Sequence, residues 1–404
     1  MITVNNRDYA QPTKTIVGIC MDGTSQAYYD AAKDVMPNLK RIREKGSSGL
    51  VNTVVPSFTN PNNMAIITGV PPETNGICGN YYYDTEADEE VMMNDPKFMI
   101  VPTIPSQLAK QGTRVAIVTV KDKLRRLLGK DLKGICFSAE FADKVTIEEN
   151  GIDDVVKLMG REQPGIYDPE ISVYCLEAGV RLLETREIDF MYLTTTDFVQ
   201  HKWAPGEPEA NAFLARIDEM FGRLDDLGAT VAITADHGMN DKTKSDGTPD
   251  VVFAESVLTN VGISEARVIL PITDPYVVHH GALGSFATVY VNNENVALAT
   301  KTLSTIDGLE VLSGDSAAER FKLPQNRIGE LVVLGDKSTV IGRTPEWHDL
   351  SVVSSGLRSH GGLHEARVPF IVNRPLNKDI QSALTKGSMN NYDLFSVLCN
   401  GVSE

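Results

Sequence analysis

The sequence is poor in positive charge, in histidine and in long apolar runs. Its 404 residues include 38 Lys and Arg against 54 Asp and Glu, which gives a formal net charge of -16. Such an acidic chain is not expected to bind a nucleic-acid backbone, because phosphate recognition requires a basic surface. No apolar stretch approaches the ~20 residues of a membrane-spanning helix. An anionic small molecule remains compatible with this composition if cations are concentrated in one pocket.

Paired cysteines are also absent. The chain has five cysteines, an odd number, and no Cys-x-x-Cys pair. This pattern is typical of reduced thiols and not of a disulfide framework. The first residues, MITVNNRDYAQPTK, contain no apolar run of signal-peptide length. We therefore expect a soluble cytoplasmic protein.

Short β-branched runs alternate with helical patterns over most of the chain. Strand-like runs include TIVGICMDG, RVAIVTV, IDFMYLTTTD and ATVAITADHG, and amphipathic segments such as EANAFLARIDEMFGRLDDLG separate them. Alternation of this kind predicts an α/β fold, a doubly wound and mostly parallel sheet with helices on both faces. The hydrophobic fraction of 42% is sufficient for a well-buried core.

The rhythm changes between residues 251 and 345. Short strands such as ARVILPI, SFATVYV and ELVVLG follow one another there, with short helical candidates between them. A strand and a helix of the first type then return near the end of the chain. We therefore predict a discontinuous catalytic core, residues 1–250 and 346–404, with an inserted α+β cap domain at 251–345.

Acidic residues and histidines stand at the ends of several predicted strands. They are Asp22, Asp197, His201, Asp236, His237 and His364. In a doubly wound sheet, ligands bind beyond the carboxyl ends of the strands, so these side chains are expected to converge. A lone Asp at a strand end is usually a turn or cap residue. Together, however, carboxylates and imidazoles are zinc ligands, and six of them suffice for two sites.

Two features of this set stay open. His360 precedes His364 by four residues in SHGGLHEARVP, and either could be the last ligand. Oxygen and nitrogen ligands also accept manganese or iron, so zinc is the expected metal without being the only one compatible.

The segment PSFTNPNNMAIITG, residues 56–69, places a hydroxyl and three amides at the start of a helical pattern. These side chains belong to Thr59, Asn60, Asn62 and Asn63. A helix start needs one capping side chain, and Thr59 could provide it. Four polar residues exceed that need, so the alternative is that Thr59 is a catalytic nucleophile.

The motifs MDG, PSFTNPNNMAIITG, TNGICGN, TTTDFVQHKWAPG, ADHGM and SHGGLHEARVP, taken in this order, resemble the alkaline phosphatase superfamily. The resemblance extends from Asp22 to His364, and its closer likeness is to the nucleotide pyrophosphatase/phosphodiesterase branch. Within that branch, chain size and the segment TVKDKLRRLLG make the sequence most similar to the members that hydrolyse phosphonoacetate. The resemblance implies an alkaline-phosphatase-like fold and two zinc ions per chain.

The resemblance also assigns roles to individual residues. One zinc is expected to be bound by Asp22, Asp236 and His237, with Thr59 beside it as metal-bound nucleophile. The other is expected to be bound by Asp197, His201 and His364. His364 is preferred over His360 because it lies four residues before the valine of the last strand. Asn80 matches the amide that binds a phosphoryl oxygen.

These assignments predict a mechanism. Thr59 attacks phosphorus, the carbon group leaves, and the resulting phospho-threonine is hydrolysed to phosphate. A carbanion is a poor leaving group unless a neighbouring carboxylate delocalises its charge, so the site should bind that carboxylate. Lys121 and Lys123, after the strand RVAIVTV, are the expected carboxylate-binding residues. The alternative is a solvated basic helix start, which the helix dipole disfavours.

Two other functions remain in competition. A di-zinc nucleotide pyrophosphatase/phosphodiesterase, or a phospholipid phosphodiesterase, would need an aromatic slot, which Phe58 or YYYD at 81–84 could supply. Asn60 and Asn63 weaken this alternative, because that branch often has an aromatic residue and a histidine there. A member that keeps the fold but only binds its ligand is disfavoured, since all ligands and Thr59 are present. The sequence leaves open whether the chain forms a homodimer.

Overall fold

The computed structural model describes residues 1–276, 280–354 and 356–403. The largest sheet in these ranges has seven strands, six of which run in one direction. In spatial order they are Ser47–Asn52, Arg367–Val372, Thr230–Thr234, Ile16–Cys20, Phe190–Thr194, Val115–Thr119 and Ile135–Ser138. The predicted mostly parallel sheet is confirmed.

The central strands are buried on both faces, as the continuous apolar runs predict. In Ile16–Cys20, Val17 and Ile19 pack into one hydrophobic cluster, whereas Ile16 and Cys20 pack into the other. The first cluster is covered by the long helices Glu170–Thr185 and Pro208–Asp226. The second is covered by Thr59–Thr68 and Ile104–Lys110, so helices lie on both faces.

The remaining helices are short. In the part of the chain around the main sheet they are Gln26–Ala31, Pro37–Lys45, Pro72–Asn75, Asp122–Leu128, Ile147–Asn150, Val155–Met159, Phe198–Lys202, Lys378–Lys386 and Leu394–Ser396. Between residues 251 and 345 they are Ala254–Asn260, Val296–Ser304 and Gly314–Phe321. None of the helices in the described ranges is both long and apolar enough to cross a membrane.

A second sheet is formed entirely between residues 267 and 335. It is antiparallel, with the order Arg267–Ile269, Phe286–Tyr290, Leu331–Gly335 and Leu309–Ser313. Val251–Phe253 pairs with Val340–Gly342 beside it. One hydrophobic cluster runs from this sheet to the main sheet without a break. The division into a core and a cap at residues 251–345 therefore stays a prediction.

Three two-stranded ribbons complete the strands of the described ranges. They are Ile2–Val4 with Arg7–Tyr9, Tyr81–Asp84 with Glu89–Met92, and Asn240–Asp241 with Arg358–Ser359. The last of these connects the segments on either side of the second sheet. Because Arg367–Val372 is the reversed strand, its first residues lie at the edge where the parallel strands end. The ribbon and the reversed strand together bring residues near 360 to that edge.

Local chemistry explains where the helix Pro37–Lys45 begins. Proline favours the first helical position, which Pro37 occupies. The free N–H groups of Asn38 and Leu39 donate to the carboxylate of Asp218, a buried residue of Pro208–Asp226. A side chain from a neighbouring helix thus replaces a local cap. All five cysteines are free, as their spacing predicts.

Candidate active site

The predicted acidic residues meet at the carboxyl edge of the main sheet. Asp22, Asp197 and Asp236 each follow one of three adjacent parallel strands. All three carboxylates are buried, with at most 2% of each residue exposed. Burial of three like charges is costly unless positive charge accompanies them. This edge is therefore the place to look for a cation site.

Asp22, Asp236 and His237 form the first cluster, in which one potential ligand atom of each residue lies within 4.8 Å of the others. Nε2 of His237 is 3.2 Å from Oδ1 of Asp22 and 3.8 Å from Oδ2 of Asp236. Asp236 and His237 are adjacent in sequence, and the turn after Thr230–Thr234 directs both inward. The structure thus brings together the first set of predicted ligands.

A glycine is required beside this cluster. Gly23 has a φ of +68°, a left-handed conformation that side chains rarely adopt. A Cβ at this position would lie 2.9 Å from Cβ of Asp197. The N–H of Gly23 donates to Oδ1 of Asp236 over 3.2 Å. The motif MDG therefore supplies one carboxylate and the backbone that orients a second.

Asp197, His201 and His360 form the second cluster, again with ligand atoms within 4.8 Å of one another. Asp197 immediately precedes the helix Phe198–Lys202, so the i, i+4 spacing places His201 on the same side. Oδ2 of Asp197 is 2.9 Å from Nε2 of His201 and 3.6 Å from Nε2 of His360. The geometry expected from D-x-x-x-H is present.

The preference for His364 over His360 is wrong. His364 is exposed, in the short helical turn Leu363–Glu365, whereas His360 is 2% exposed and lies within the cluster. The chain turns sharply between them, and Gly361 has a φ of +116°. A Cβ on Gly361 would lie 2.4 Å from the ring of Phe58. This close packing pulls His360 inward and leaves His364 on the outer side.

The three histidines of the two clusters share one orientation. In each ring, Nδ1 lies 2.7–2.8 Å from a backbone carbonyl oxygen. The carbonyls belong to Arg358 for His201, Gly238 for His237 and Ser57 for His360. A carbonyl accepts only, so Nδ1 carries the proton and Nε2 presents its lone pair to the cluster. Such backbone contacts typically fix the tautomer of metal-binding histidines.

Electrostatics indicate that this centre is built for cations. Burial and the neighbouring carboxylates of Asp197 and Asp236 raise the pKa of Asp22 to about 7. Burial alone would lower the pKa of His237, but Asp236 and Asp22 outweigh it and raise that pKa to about 9. Both Asp22 oxygens and Nε2 of His237 are buried and have no hydrogen-bond partner outside this cluster among the described residues. These carboxylate oxygens and imidazole nitrogens are suitable ligands for divalent cations, and each of the two clusters could hold one.

Thr59 is not a helix cap. The helix begins at Thr59 itself and Phe58 occupies the capping position, without a capping side chain. All ten residues of the helix are buried, so its polar start faces the interior. The N-cap alternative is therefore wrong, and the nucleophile role stays a proposal.

The amides after Thr59 each have a structural partner. Oδ1 of Asn62 accepts from the N–H of Val54, and Nδ2 of Asn60 donates to the carbonyl of Met93. Nδ2 of Asn63 donates to the carbonyl of Thr59 and, over 3.4 Å, to Oδ2 of Asp236. Asn63 thus links the start of the helix to the first cluster.

The first turn of this helix offers few free N–H groups to an anion. The N–H of Asn60 donates to Oδ1 of Asn80, and that of Asn62 donates to the carbonyl of Phe58. Pro61 has none. One N–H of the Asn80 amide donates a hydrogen bond to the carbonyl of Ile272. The second N–H of this amide is then left for an anion. The amide of Asn80, and not the helix terminus, is therefore the better candidate for an oxyanion donor.

Lys121 and Lys123 are buried beside the clusters. The alternative of a solvated basic helix start is therefore wrong. Nζ of Lys121 lies 3.1 Å from Oδ1 of Asp197 and 3.8 Å from Oδ2 of Asp22. Burial alone would lower the pKa of Lys121, but these carboxylates raise it above its ordinary value. Nζ of Lys123 lies 2.5 Å from Oδ2 of Asp274. Burial lowers the pKa of Lys123 despite that partner.

Two residues, Asp274 and Tyr276, lie beside the lysines but were not predicted from the sequence. Asp274 pairs with Lys123 and, at 3.5 Å, with His280. The ring of Tyr276 lies 5.5 Å from Nζ of Lys121 and 5.8 Å from Nζ of Lys123. The only local signal is the polar stretch ITDPY after a strand. Pairing across 151 positions cannot be deduced from spacing.

The proposed aromatic slot is not formed by Phe58. Phe58 is fully buried, and its ring meets those of Phe286 and His360 edge to face. Tyr82 is buried against Phe98. Neither ring is available to stack on a base.

Comparison with known proteins agrees with this geometry. Residues 16–364 match the family model described as type I phosphodiesterase/nucleotide pyrophosphatase. The chain belongs to this family. This range covers both clusters and the helix Thr59–Thr68.

A solved member of similar length is the phosphonoacetate hydrolase of Sinorhizobium meliloti 1021. Its complex with phosphonoformate is 48% identical, covers 100% of this chain and 99% of its own, and superposes with a TM-score of 0.95. Its complex with phosphonoacetate gives the same identity and coverage and a TM-score of 0.94. The fold is therefore that of phosphonoacetate hydrolase.

More distant relatives include one solved structure that shares the fold. Murine ectonucleotide pyrophosphatase/phosphodiesterase 5, in an inactive form with AMP, is 17% identical, covers 96% of this chain and 94% of its own, with a TM-score of 0.65. An uncharacterised pyrophosphatase/phosphodiesterase of Schizosaccharomyces pombe is 22% identical over 56% of this chain. This match spans 44% of that protein. A separate match, to murine ectonucleotide pyrophosphatase/phosphodiesterase 3, spans 9% of that protein.

Proposed function

We propose that this protein hydrolyses the carbon–phosphorus bond of phosphonoacetate, giving acetate and phosphate, with two bound zinc ions and Thr59 as nucleophile. The observation that carries the proposal is the pair of buried lysines at the cation centre. Lys121 touches Asp197 of the second cluster, and Lys123 lies two residues further on. The leaving group of a phosphodiester needs no positive charge of this kind beside it. The acetate carbanion that leaves from phosphonoacetate does, because its negative charge must be stabilised as it develops.

Likeness to the hydrolase of Sinorhizobium meliloti supports the same substrate. That protein is 48% identical over the full chain, and one of its structures holds phosphonoacetate. The ligand assignment follows the two clusters, with His360 as the last ligand. When bound, two divalent cations would lower the pKa of the Thr59 hydroxyl and neutralise the phosphonate oxygens.

The residues of the chain account for the remaining steps. The Thr59 hydroxyl loses its proton and its oxygen forms a bond to phosphorus, while the electron pair of the C–P bond moves to the departing carbon. Lys121 and Lys123 hold the carboxylate into which that charge is delocalised, until the carbon is protonated to acetate. The second N–H of Asn80 donates to a phosphoryl oxygen. Water then cleaves the phospho-threonine, which restores Thr59 and releases phosphate, so one water is consumed per turnover.

Nucleotide cleavage is the second candidate, since it is the activity named for the family. The burial of Phe58 and Tyr82 argues against a stacking slot at these two positions. The polar wall formed by Asp274, Tyr276 and the lysines suits a small charged group better than a base. Non-catalytic binding is disfavoured because every predicted cluster residue except His364 lies within the clusters.

The test compares two substrates on matched lysine variants. Phosphate release from phosphonoacetate and cleavage of bis-p-nitrophenyl phosphate are measured for the zinc-loaded protein. Lys123→Ala and Lys121→Ala should lower kcat/KM for phosphonoacetate by about 100-fold or more, because each removes a charge that pairs with the developing carbanion. The loss for the diester should be smaller than for phosphonoacetate. Lys97→Ala, which removes an exposed lysine, is the control.

Diester cleavage with inert phosphonoacetate would contradict the proposal. So would lysine variants that lose both activities to the same extent.

A further inference from the structure

A buried ion pair joins Lys242 to Glu365, outside both cation clusters. Neither side chain has any exposed surface, and Nζ of Lys242 lies 3.0 Å from Oε1 of Glu365. Such a pair contributes little net stability, because desolvation of both charges offsets their attraction. Neither residue reaches solvent, so neither can meet a substrate directly. The pair therefore needs another explanation.

Glu365 is held as a carboxylate by its surroundings. Oε1 also accepts from Nδ2 of Asn240, and Oε2 accepts from the N–H of Gly362 over 3.1 Å. Every partner is a donor, so an uncharged amide at this position would direct its own N–H groups at other donors. The site thus specifies a carboxylate, and glutamine cannot replace it without a mismatch.

The partners of the pair lie on the two segments that carry His237 and His360. Asn240, three residues after His237, pairs in the short ribbon with Ser359, the residue before His360. The carbonyl of Glu365 accepts from the N–H of Gly238 over 2.8 Å. The carboxylate of Glu365 therefore binds both segments, one through Asn240 and one through Gly362.

Lys242 adds a third segment. Its Nζ donates to the carbonyl of Lys337 over 2.9 Å and approaches that of Asp336 at 3.5 Å. These carbonyls follow the strand Leu331–Gly335 of the second sheet. The carbonyl of His360 itself accepts from the N–H of Ser285 in the same region. One ion pair thus connects the two histidine segments to the second sheet.

We propose that Lys242 and Glu365 are positioning residues that set the separation and orientation of His237 and His360, and thereby the affinity and geometry of both cation sites. The inference rests on the proposed function to the extent that it requires those sites to be occupied. Mutation of residues that hold metal ligands in place commonly weakens metal binding by about 10- to 100-fold. The pair acts on the ligands through backbone, and not by touching the cation.

Cobalt(II) provides the test, because its absorption spectrum reports coordination geometry directly. Glu365→Gln breaks the pair and leaves a buried charge on Lys242. The double variant Lys242→Met with Glu365→Leu removes both charges and is expected to remain folded. Cobalt(II) spectra and dissociation constants from chelator competition are measured for each protein, well below its unfolding temperature.

Asp225→Asn is the matched control. Asp225 is also a buried carboxylate, with Lys45 and Asn373 as donors, but it lies at the opposite edge of the sheet. Both pair variants should bind cobalt(II) about 10- to 100-fold more weakly than wild type and show an altered spectrum. Asp225→Asn should lose stability and keep both the spectrum and the affinity.

A double variant with the wild-type spectrum and affinity would overturn the inference alone. Wild-type protein that binds no cobalt(II) would overturn it together with the proposed function. An equal spectral change in Asp225→Asn would also contradict it, because the effect would then follow from general destabilisation.

Discussion

The imidazole rings of His237 and His360 lie stacked, with centroids 3.5 Å apart and planes inclined by 5°. Each ring belongs to a different cluster, so the two candidate cation sites share a wall. Both rings turn Nδ1 to a backbone carbonyl and Nε2 to the clustered carboxylates. Two cations bound in these clusters would lie on either side of this wall and could both bind one phosphoryl group, as in-line displacement between two metals requires.

Loss of His360 should remove a cation, whereas loss of His364 should not. His360→Ala removes an imidazole from the second cluster, and we expect binding of one cation to weaken by at least about 100-fold. His364→Ala is the matched control, since that ring is exposed. Metal content per chain after dialysis against a weak chelator distinguishes the two variants. Normal metal content in His360→Ala, or loss in His364→Ala, would show that the ligand is misassigned.

The hydroxyl of Thr59 should matter for activity and not for stability. Thr59→Val keeps the shape of the side chain and removes only the hydroxyl. Phosphate release should fall by at least about 10³-fold. The free energy of unfolding should change by less than the ~1 kcal/mol that an N-cap contributes, because Phe58 holds that position.

Thr59→Ser retains a hydroxyl and should keep measurable activity. Denaturant unfolding and a phosphate assay on the same samples provide both quantities. A fully active Thr59→Val protein would exclude Thr59 as nucleophile.

Asn63 should influence the first cluster through its amide. Its Nδ2 binds Oδ2 of Asp236 and the carbonyl of Thr59, while its Oδ1 accepts from the hydroxyl of Tyr192. Asn63→Ala should weaken cation binding by about 10- to 100-fold. Asn62→Ala, one residue away, removes an amide that contacts Val54 and should lower stability without affecting the cation.

Isothermal titration with zinc measures the cation affinity of Asn63→Ala and of Asn62→Ala. Equal affinity in the two variants would mean that Asn63 does not orient Asp236.

Removal of the cations should destabilise the fold. Asp22, Asp197 and Asp236 are buried close together, and their mutual repulsion helps to raise the pKa of Asp22 to about 7. Cations that bind only the folded state at about 1,000 times their Kd add about 4 kcal/mol. A chelator should therefore lower Tm, and added zinc should restore it. Asp22→Asn should reduce this shift, and an unchanged Tm in wild type would contradict the account.

The sequence was sufficient for the sheet and for most of the centre. Asp22, Asp197 and Asp236 end strands whose apolar runs are unmistakable, and parallel strands bring their carboxyl ends together. The helical i, i+4 spacing likewise predicted the position of His201. These inferences depend on local periodicity and on a general rule of sheet topology.

The choice between His360 and His364 could not be made in this way. It depends on the positive φ of Gly361 and on the contact of that glycine with Phe58, about 300 positions away. The partner of Lys123 was hidden for the same reason, since Asp274 belongs to another part of the chain. Contacts between distant segments leave no periodic trace in either segment.

Product analysis of phosphonoacetate turnover tests the central claim most directly. Zinc-loaded protein and Thr59→Val protein are incubated with phosphonoacetate, and phosphorus and proton NMR follow the mixture. The account predicts phosphate and acetate in equal amounts from wild type, at the expense of phosphonoacetate, and negligible conversion by the variant. Unchanged phosphonoacetate with the wild-type protein, under conditions in which it cleaves a phosphodiester, would contradict the account.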